Sequence, residues 1–244
     1  MFKIISVIIL FIFISGCANN YEWGWYVLNP NLLTGYNNIL FLLSGFYITI
    51  FITFISIFFS LLIGLFVSLL SFTQNKYLNF VNLSYIELVR SVPILVLLLW
   101  VYYGLPIIFE INIGPFLAGI ISLSLSDSAF EAEIFRAGIQ SVNKGQKDAA
   151  KSLGLNKFQE FKLIIFPLAL RTILPAIGNQ FVYVLKMSSL VSIIGLADLT
   201  RKANELVVSV YRPLEIYTFL VFEYLVLILF VSFLVRKLEK KLKF

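Results

Sequence analysis

Among the side chains able to carry charge inside otherwise apolar stretches of this chain, Asp127, Glu131 and Lys186 are the ones whose chemistry could serve a substrate. Asp127 and Glu131 fall in the run Phe116 to Ala137, and Lys186 falls in the run Thr172 to Ala197. A charge at mid-bilayer costs on the order of 3 kcal/mol on insertion scales, so such residues must face protein or water. Asp127 and Glu131 are one helical turn apart and share a face. On a translocation path, an acid here could meet a substrate ammonium and Lys186 a carboxylate, the two ends of an amino acid zwitterion. Asn179 and Ser188 flank Lys186 on the same run and complete the set of path candidates. The competing reading pairs Lys186 with one of the acids, or places both acids near an interface where they snorkel. Glu131 fits that reading better, and Asp127 and Lys186 fit the path. Glu133 and Arg136, three residues apart, read as a mutual pair that ends the span.

Other chemistry is harder to build. The chain has no histidine, so the usual imidazole base and metal ligand are missing, and its single cysteine, Cys17, cannot form an internal disulfide. No nucleophile with a base and no metal-ligand cluster emerges, which leaves no cofactor implied and makes an intramembrane enzyme a remote reading. The stretch Gly145 to Ser152, "GQKDAAKS", approaches the phosphate-binding pattern G-x-x-x-x-G-K-[ST]. Ala150 stands where the second glycine belongs, however, no strand precedes it, and its Cβ opposes the tight loop. Nucleotide binding by this segment is excluded.

The elements that must hold these residues follow from composition. With 60% hydrophobic and 13% charged residues over 244 positions, and a mean hydropathy of +0.94, there is too little polar surface to coat a soluble globule. Several apolar runs reach the roughly 20 residues a helix needs to cross the hydrocarbon core, whereas barrel strands alternate over about 10. The fold class is therefore an all-α membrane protein, a five-span helical bundle. The spans are expected at 45–70, 83–105 with a kink near Pro93, 116–137, 172–197 and 214–235. The net charge of +6 sits in short blocks beside the spans, which argues for topology signals and against nucleic acid.

Residues 1–17 read as a signal-like segment: Lys3, an apolar run from Ile4 to Ile14 too short to span, then Ser15-Gly16-Cys17. Residues 18–44 then form an extracytoplasmic lead-in, 45–235 the transmembrane domain and 236–244 a basic cytoplasmic tail. Lys76, the basic residues from Arg136 to Arg171 and the tail residues Arg236, Lys237, Lys240, Lys241 and Lys243 fall on one side, against only Arg201, Lys202 and Arg212 on the other. Basic loops resist translocation, so the amino terminus is expected outside and the carboxyl terminus inside.

That orientation puts residues 143–167 in the cytoplasm. Asn143 with Gln146, and Asn156 with Gln159, have the spacing of capping boxes, and Gly154 sits where a helix ends in a left-handed residue. Two short helices are expected to meet at Gly154. Ala149, Ala150 and Leu153 share a narrow, small-sided face opposite Lys144, Lys147 and Lys151, a shape that lets another backbone come close. A helix lying on lipid would want bulky residues there, as the second helix has in Phe158, Phe161 and Ile165.

The stretch "DAAKSLGLNKFQEFKLIIFP" resembles the EAA loop of ABC importer membrane subunits, with pattern EAA, three residues, Gly, nine residues, then I-x-L-P. Asp148-Ala149-Ala150 stands for EAA, Gly154 holds the glycine position and Ile164 to Pro167 the close, with Asp148 for Glu and Phe166 for Leu as departures. Glu87 to Pro106, Ala132 to Gln146, Leu174 to Gly195 and a terminal "LEKK" are similar to the polar amino acid branch of that family, histidine and glutamine permeases included. The resemblance covers about residues 40 to 243. Met187 departs from the polar residue usual after the Lys186 position. "ISGC" also resembles a bacterial lipoprotein signal, making Cys17 a candidate lipid anchor.

The resemblance implies a type I importer permease in a bacterial inner (cytoplasmic) membrane. It pairs with a second copy or a sibling, receives substrate from an extracytoplasmic solute-binding protein and docks a dimer of cytoplasmic ABC ATPases through a coupling-helix loop. The docking residues would be Gln146, Asp148, Ala149, Ala150, Leu153 and Gly154. Such a subunit does no chemistry and works by alternating access. The rival class is an ion-coupled secondary carrier driven by titration of Asp127 and Glu131.

Overall fold

The computed structural model describes residues 22–242; the signal-like segment and Cys17 lie outside them. Ten helices account for most of that length: α1 Leu33–Leu43, α2 Gly45–Leu70, α3 Lys76–Ser91, α4 Ile94–Phe109, α5 Pro115–Gln140, α6 Lys144–Ser152, α7 Lys157–Glu160, α8 Phe166–Met187, α9 Leu199–Val210 and α10 Pro213–Leu242. The described residues contain no strand. Three helical runs are long and apolar enough to cross a membrane, 33–70, 157–194 and 213–240, and the bent pair α3–α4 makes a fourth if it counts as one span. The 26-residue α5 carries acids that dilute its hydropathy, but its length matches that of α2.

The bundle is organised around the α2–α5 contact. Along α2, Gly45, Thr49, Thr53, Ser56, Ser60, Gly64 and Ser68 are buried, a stripe of small residues recurring every three or four positions. The facing side of α5 is similarly small, with Ala118, Gly119, Ser122, Ser126 and Ala129 buried. Between helices in lipid there is no hydrophobic gain, so close van der Waals approach and interhelical hydrogen bonds must provide the cohesion, and small residues permit both. Ser124 Oγ donates across the seam to the Ser56 carbonyl at 3.1 Å. A Cβ added at Gly64 would fall 2.6 Å from Glu131 Cβ and 2.9 Å from the Ser128 carbonyl.

The break expected near Pro93 is present but sharper than a kink, and the lead-in holds a helix the sequence did not suggest. The span read as 83–105 with a kink is two helices, α3 and α4, meeting at 95°. Pro93 cannot donate a backbone hydrogen bond and forces Val92 into extended geometry (φ −92°, ψ 122°), so the chain turns a corner. The lead-in 18–44 also contains a helix, α1, which runs almost directly into α2 through Ser44 in helical geometry.

The end of the bundle that carries α9 is fastened by polar contacts. The Gly24 N–H donates to Glu215, which is fully buried, and Arg212 Nη1 donates to the Glu22 carbonyl at 2.7 Å. Asp198 caps α9 by accepting from the Arg201 N–H at 2.9 Å, and the Leu199 N–H donates to Thr49 Oγ1 at 3.2 Å. Burial pushes the Asp198 carboxyl up to about 6.

Replacing Gly64 with leucine should wedge α2 from α5 at a cost of about 1–3 kcal/mol, lowering the thermal midpoint of the detergent-purified subunit. Gly114→Ala, whose Cβ would meet nothing within 4 Å, should leave it unchanged. Fluorescence-detected size exclusion after heating reads both.

Candidate functional site

Two sets of polar residues stand apart from the apolar packing: the α6–α7 pair at one end, and a group of acids and α8 side chains within the bundle.

In α6, the Asn143 side chain accepts from the Gly145 N–H at 2.9 Å. Gln146 does not return a bond to Asn143, so the expected first capping box is a single cap with Gln146 left exposed. The helix stops as its composition requires. Gly154 adopts φ +76°, its N–H donates to the Lys151 carbonyl at 2.9 Å, and the Leu155 N–H donates to the Ala150 carbonyl at 3.2 Å. These are the two bonds of a Schellman stop, which needs a residue able to take positive φ. At α7 the full box is present, with Gln159 N–H to Asn156 Oδ1 at 2.9 Å and Asn156 N–H to Gln159 Oε1 at 3.0 Å. The chain continues through a π turn, Phe161–Ile165, into α8.

The face drawn from Ala149, Ala150 and Leu153 divides. Ala150 alone is buried, at 1% exposure, whereas Ala149 is exposed and Leu153 is 78% exposed. Ala150 therefore seats α6 on its own subunit, and Gln146, Asp148, Ala149, Leu153 and Gly154 form the outward surface. Asp148 reaches Lys151 Nζ at 3.6 Å, an exposed pair that leaves it available to another partner. Phe158 is 71% exposed and Phe161 40% exposed, while Ile165 packs inward against Val142, Ala169 and Ile173.

Within the bundle, Asp127 is buried and accepts from Ser60 Oγ on α2 at 2.6 Å and from Gln180 Nε2 on α8. It therefore joins three helices. Glu131, one turn along α5, is fully buried and neither of its oxygens has a hydrogen-bond partner. Lys186 forms an ion pair with neither acid: it is exposed on α8, as is Asn179 seven residues earlier on the same face, and Tyr183 lies between them. Ser188 is buried and its Oγ donates to the Leu185 carbonyl at 2.8 Å, a bond within its own turn. Glu133 lies 3.7 Å from Arg136 as spacing suggested, but Arg90 of α3 approaches it more closely and also stacks over Phe130 at 5.0 Å. These groups line a polar cleft between α3 and α5 with Glu87 and Ser91.

Sequence reasoning missed Gln180, Ser60 and Arg90 as partners of the acids. Gln180 is the next residue after Asn179, about 100° further round the helix, which turns it from the exposed face toward Asp127. No metal-ligating cluster occurs among the described residues.

Comparison with known proteins bears on the chain as a whole. The glutamine transport system permease protein GlnP of Escherichia coli K12 is 35% identical over 203 residues, covering 83% of this chain and 93% of that one. A probable glutamine ABC transporter permease of Bacillus subtilis is 35% identical over 208 residues, covering 85% and 96%. Among solved structures, a chain of an amino acid ABC transporter crystallised with histidines matches with TM-score 0.81 and 40% identity over 86% of this chain and 97% of its own. The MetNI methionine ABC transporter, at 20% identity and TM-score 0.74 over 85% and 99%, shares the fold. The model of the binding-protein-dependent transport system inner membrane component matches residues 60–244. With that match over most of its length, this chain belongs to the family of binding-protein-dependent transport system inner membrane components.

Proposed function

We propose that this permease subunit of an ABC importer carries polar amino acids, spans the membrane five times with its amino end outside, and docks a cytoplasmic ATPase dimer through α6 and α7. The relatives that share about a third of its residues are glutamine permeases, and the structural neighbour at 40% identity is an amino acid transporter. The distribution of basic residues supports the orientation.

One observation carries the docking role. The α6–α7 pair is held by a Schellman stop and a capping box, yet leaves Leu153 78% exposed beside Ala149 and Asp148. Such a rigid element with an exposed apolar knob is suited to insert into a partner's surface. A second observation concerns α8. Asn179, Tyr183 and Lys186 are exposed along one face of an apolar helix, and a lysine at that depth is too costly against lipid. A second permease copy or a sibling covers this face and leaves a watered path between the two, where Lys186 and Asn179 meet the substrate delivered by an extracytoplasmic binding protein. Asp127 acts from behind, holding α8 against α2 and α5.

The unpartnered Glu131 favours a second reading, an ion-coupled carrier in which this acid gains and loses a proton during transport.

Leu153→Asp should insert and fold normally but lose co-purification with the ATPase and lower uptake by at least about tenfold, the effect of removing an interface anchor worth roughly 2 kcal/mol. Gly154→Val should strain the stop and uncouple ATP hydrolysis from uptake; unchanged uptake in both variants removes the docking role. Glu131→Gln, a neutral isostere, should keep vanadate-sensitive uptake in liposomes near its original rate. Loss of uptake in that variant, with protonophore sensitivity and indifference to vanadate in the original, would establish the ion-coupled carrier instead.

A further inference from the structure

A groove of about 440 Å³ runs between α8 and α10, walled by Leu174, Pro175 and Gly178 on one side and by Val235, Leu238 and Glu239 on the other. It plays no part in the docking surface or in the Asn179–Lys186 stripe, which lies on another face of α8. The two helices touch at Gly178, where an added Cβ would fall 2.5 Å from Val235. Its walls are apolar apart from Glu239 at the mouth.

The mouth is chemically marked. Arg171, Leu174, Pro175 and Gly178 have the i, i+3, i+4, i+7 spacing of a single helical face, so the exposed Arg171 continues the groove wall by one turn. Pro175 has no N–H to give to the Arg171 carbonyl, which therefore needs a donor from elsewhere. Arg171 and the half-buried Glu239 form no ion pair among the described residues. A guanidinium one turn beyond an apolar slot, a carboxylate at its mouth and a carbonyl denied its i+4 N–H are complementary to one amphiphile: a phosphate, an ammonium with N–H donors, and a chain.

We propose that this groove binds one phosphatidylethanolamine of the inner leaflet, with an acyl chain between α8 and α10, its phosphate on Arg171 and its ammonium on Glu239 and the Arg171 carbonyl. The leaflet rests on the orientation proposed above, which places the basic end of α10, with Arg236, Lys237 and Lys240, at the inner surface. Phosphatidylglycerol has no cation for Glu239, and the quaternary ammonium of phosphatidylcholine has no N–H to donate.

Native mass spectrometry of the full-length chain, purified in detergent with equal amounts of phosphatidylethanolamine, phosphatidylglycerol and phosphatidylcholine, tests this. Phosphatidylethanolamine should be retained about tenfold over the others, the ratio expected for one charge-assisted contact. Arg171→Gln and Glu239→Gln should each abolish that preference, and Arg171→Lys should largely keep it. Equal retention of the three lipids, preference for phosphatidylglycerol, or a preference unmoved by either glutamine variant would overturn the site. Retention is read without ATPase, so unchanged docking and uptake in Leu153→Asp with the lipid preference intact marks failure of the coupling role alone, and docking lost in that variant with no lipid preference in the original chain marks failure of this site alone.

Discussion

The close approach of α2 and α5 is the constraint on which the rest of the bundle depends. It requires a small residue at nearly every turn of α2 from Gly45 to Ser68, because lipid gives two helices no reason to associate except packing and hydrogen bonds. Having brought the backbones together, it creates a dry seam in which Asp127 and Glu131 are sealed. Gly64 and Glu131 are a matched pair: the missing Cβ on one helix is the room taken by the acid on the other. Asp127 then extends the seam to α8 through Gln180, so the contact that closes two helices also positions a third.

That arrangement changes what the intramembrane charges mean. As residues in a row they allow a charged path, an internal Lys–acid pair or a place at the interface. In the fold they separate by environment. Asp127 has donors from two helices, Glu131 has none, and Lys186 is exposed on α8 and pairs with neither. The pairing of Lys186 with an acid does not form, and the polar cost of Lys186 is left to be met from outside this subunit. The clustering of Arg90, Glu133 and Arg136 follows the same logic at the end of α5, where solvent reaches the side chains and an ion pair contributes at most about 1 kcal/mol.

What was legible in the sequence divides by range. The Schellman stop at Gly154 and the box between Asn156 and Gln159 depend on residues within six positions of one another, and local rules were enough to place them. Asn143 and Gln146 obeyed the same spacing without closing, since a cap needs only the first of its two bonds. Pro93 marked a break, but the 95° angle is set by what α3 and α4 each pack against. The partners of Asp127 come from 67 residues before and 53 after it, and no periodicity within α5 points to either. The helix Leu33–Leu43 was hidden for another reason: its asparagines and glycine weaken the apolar pattern that identified the spans.

The route by which a docking event could reach the membrane is short. Ala150 fixes α6 to its subunit, α7 follows after the glycine stop, and a single π turn connects α7 to α8, the helix that carries Gln180, Asn179 and Lys186. A π turn is a seam in an otherwise regular hydrogen-bond ladder and can take up a change in helix direction without breaking it. Movement of the α6–α7 pair against a partner would therefore be expressed at α8 before any other span. The Asp127–Gln180 bond is where that movement meets resistance, because it ties α8 to the seam between α2 and α5. In the proposed importer the bond sets how far α8 swings alone and when the three helices must move together.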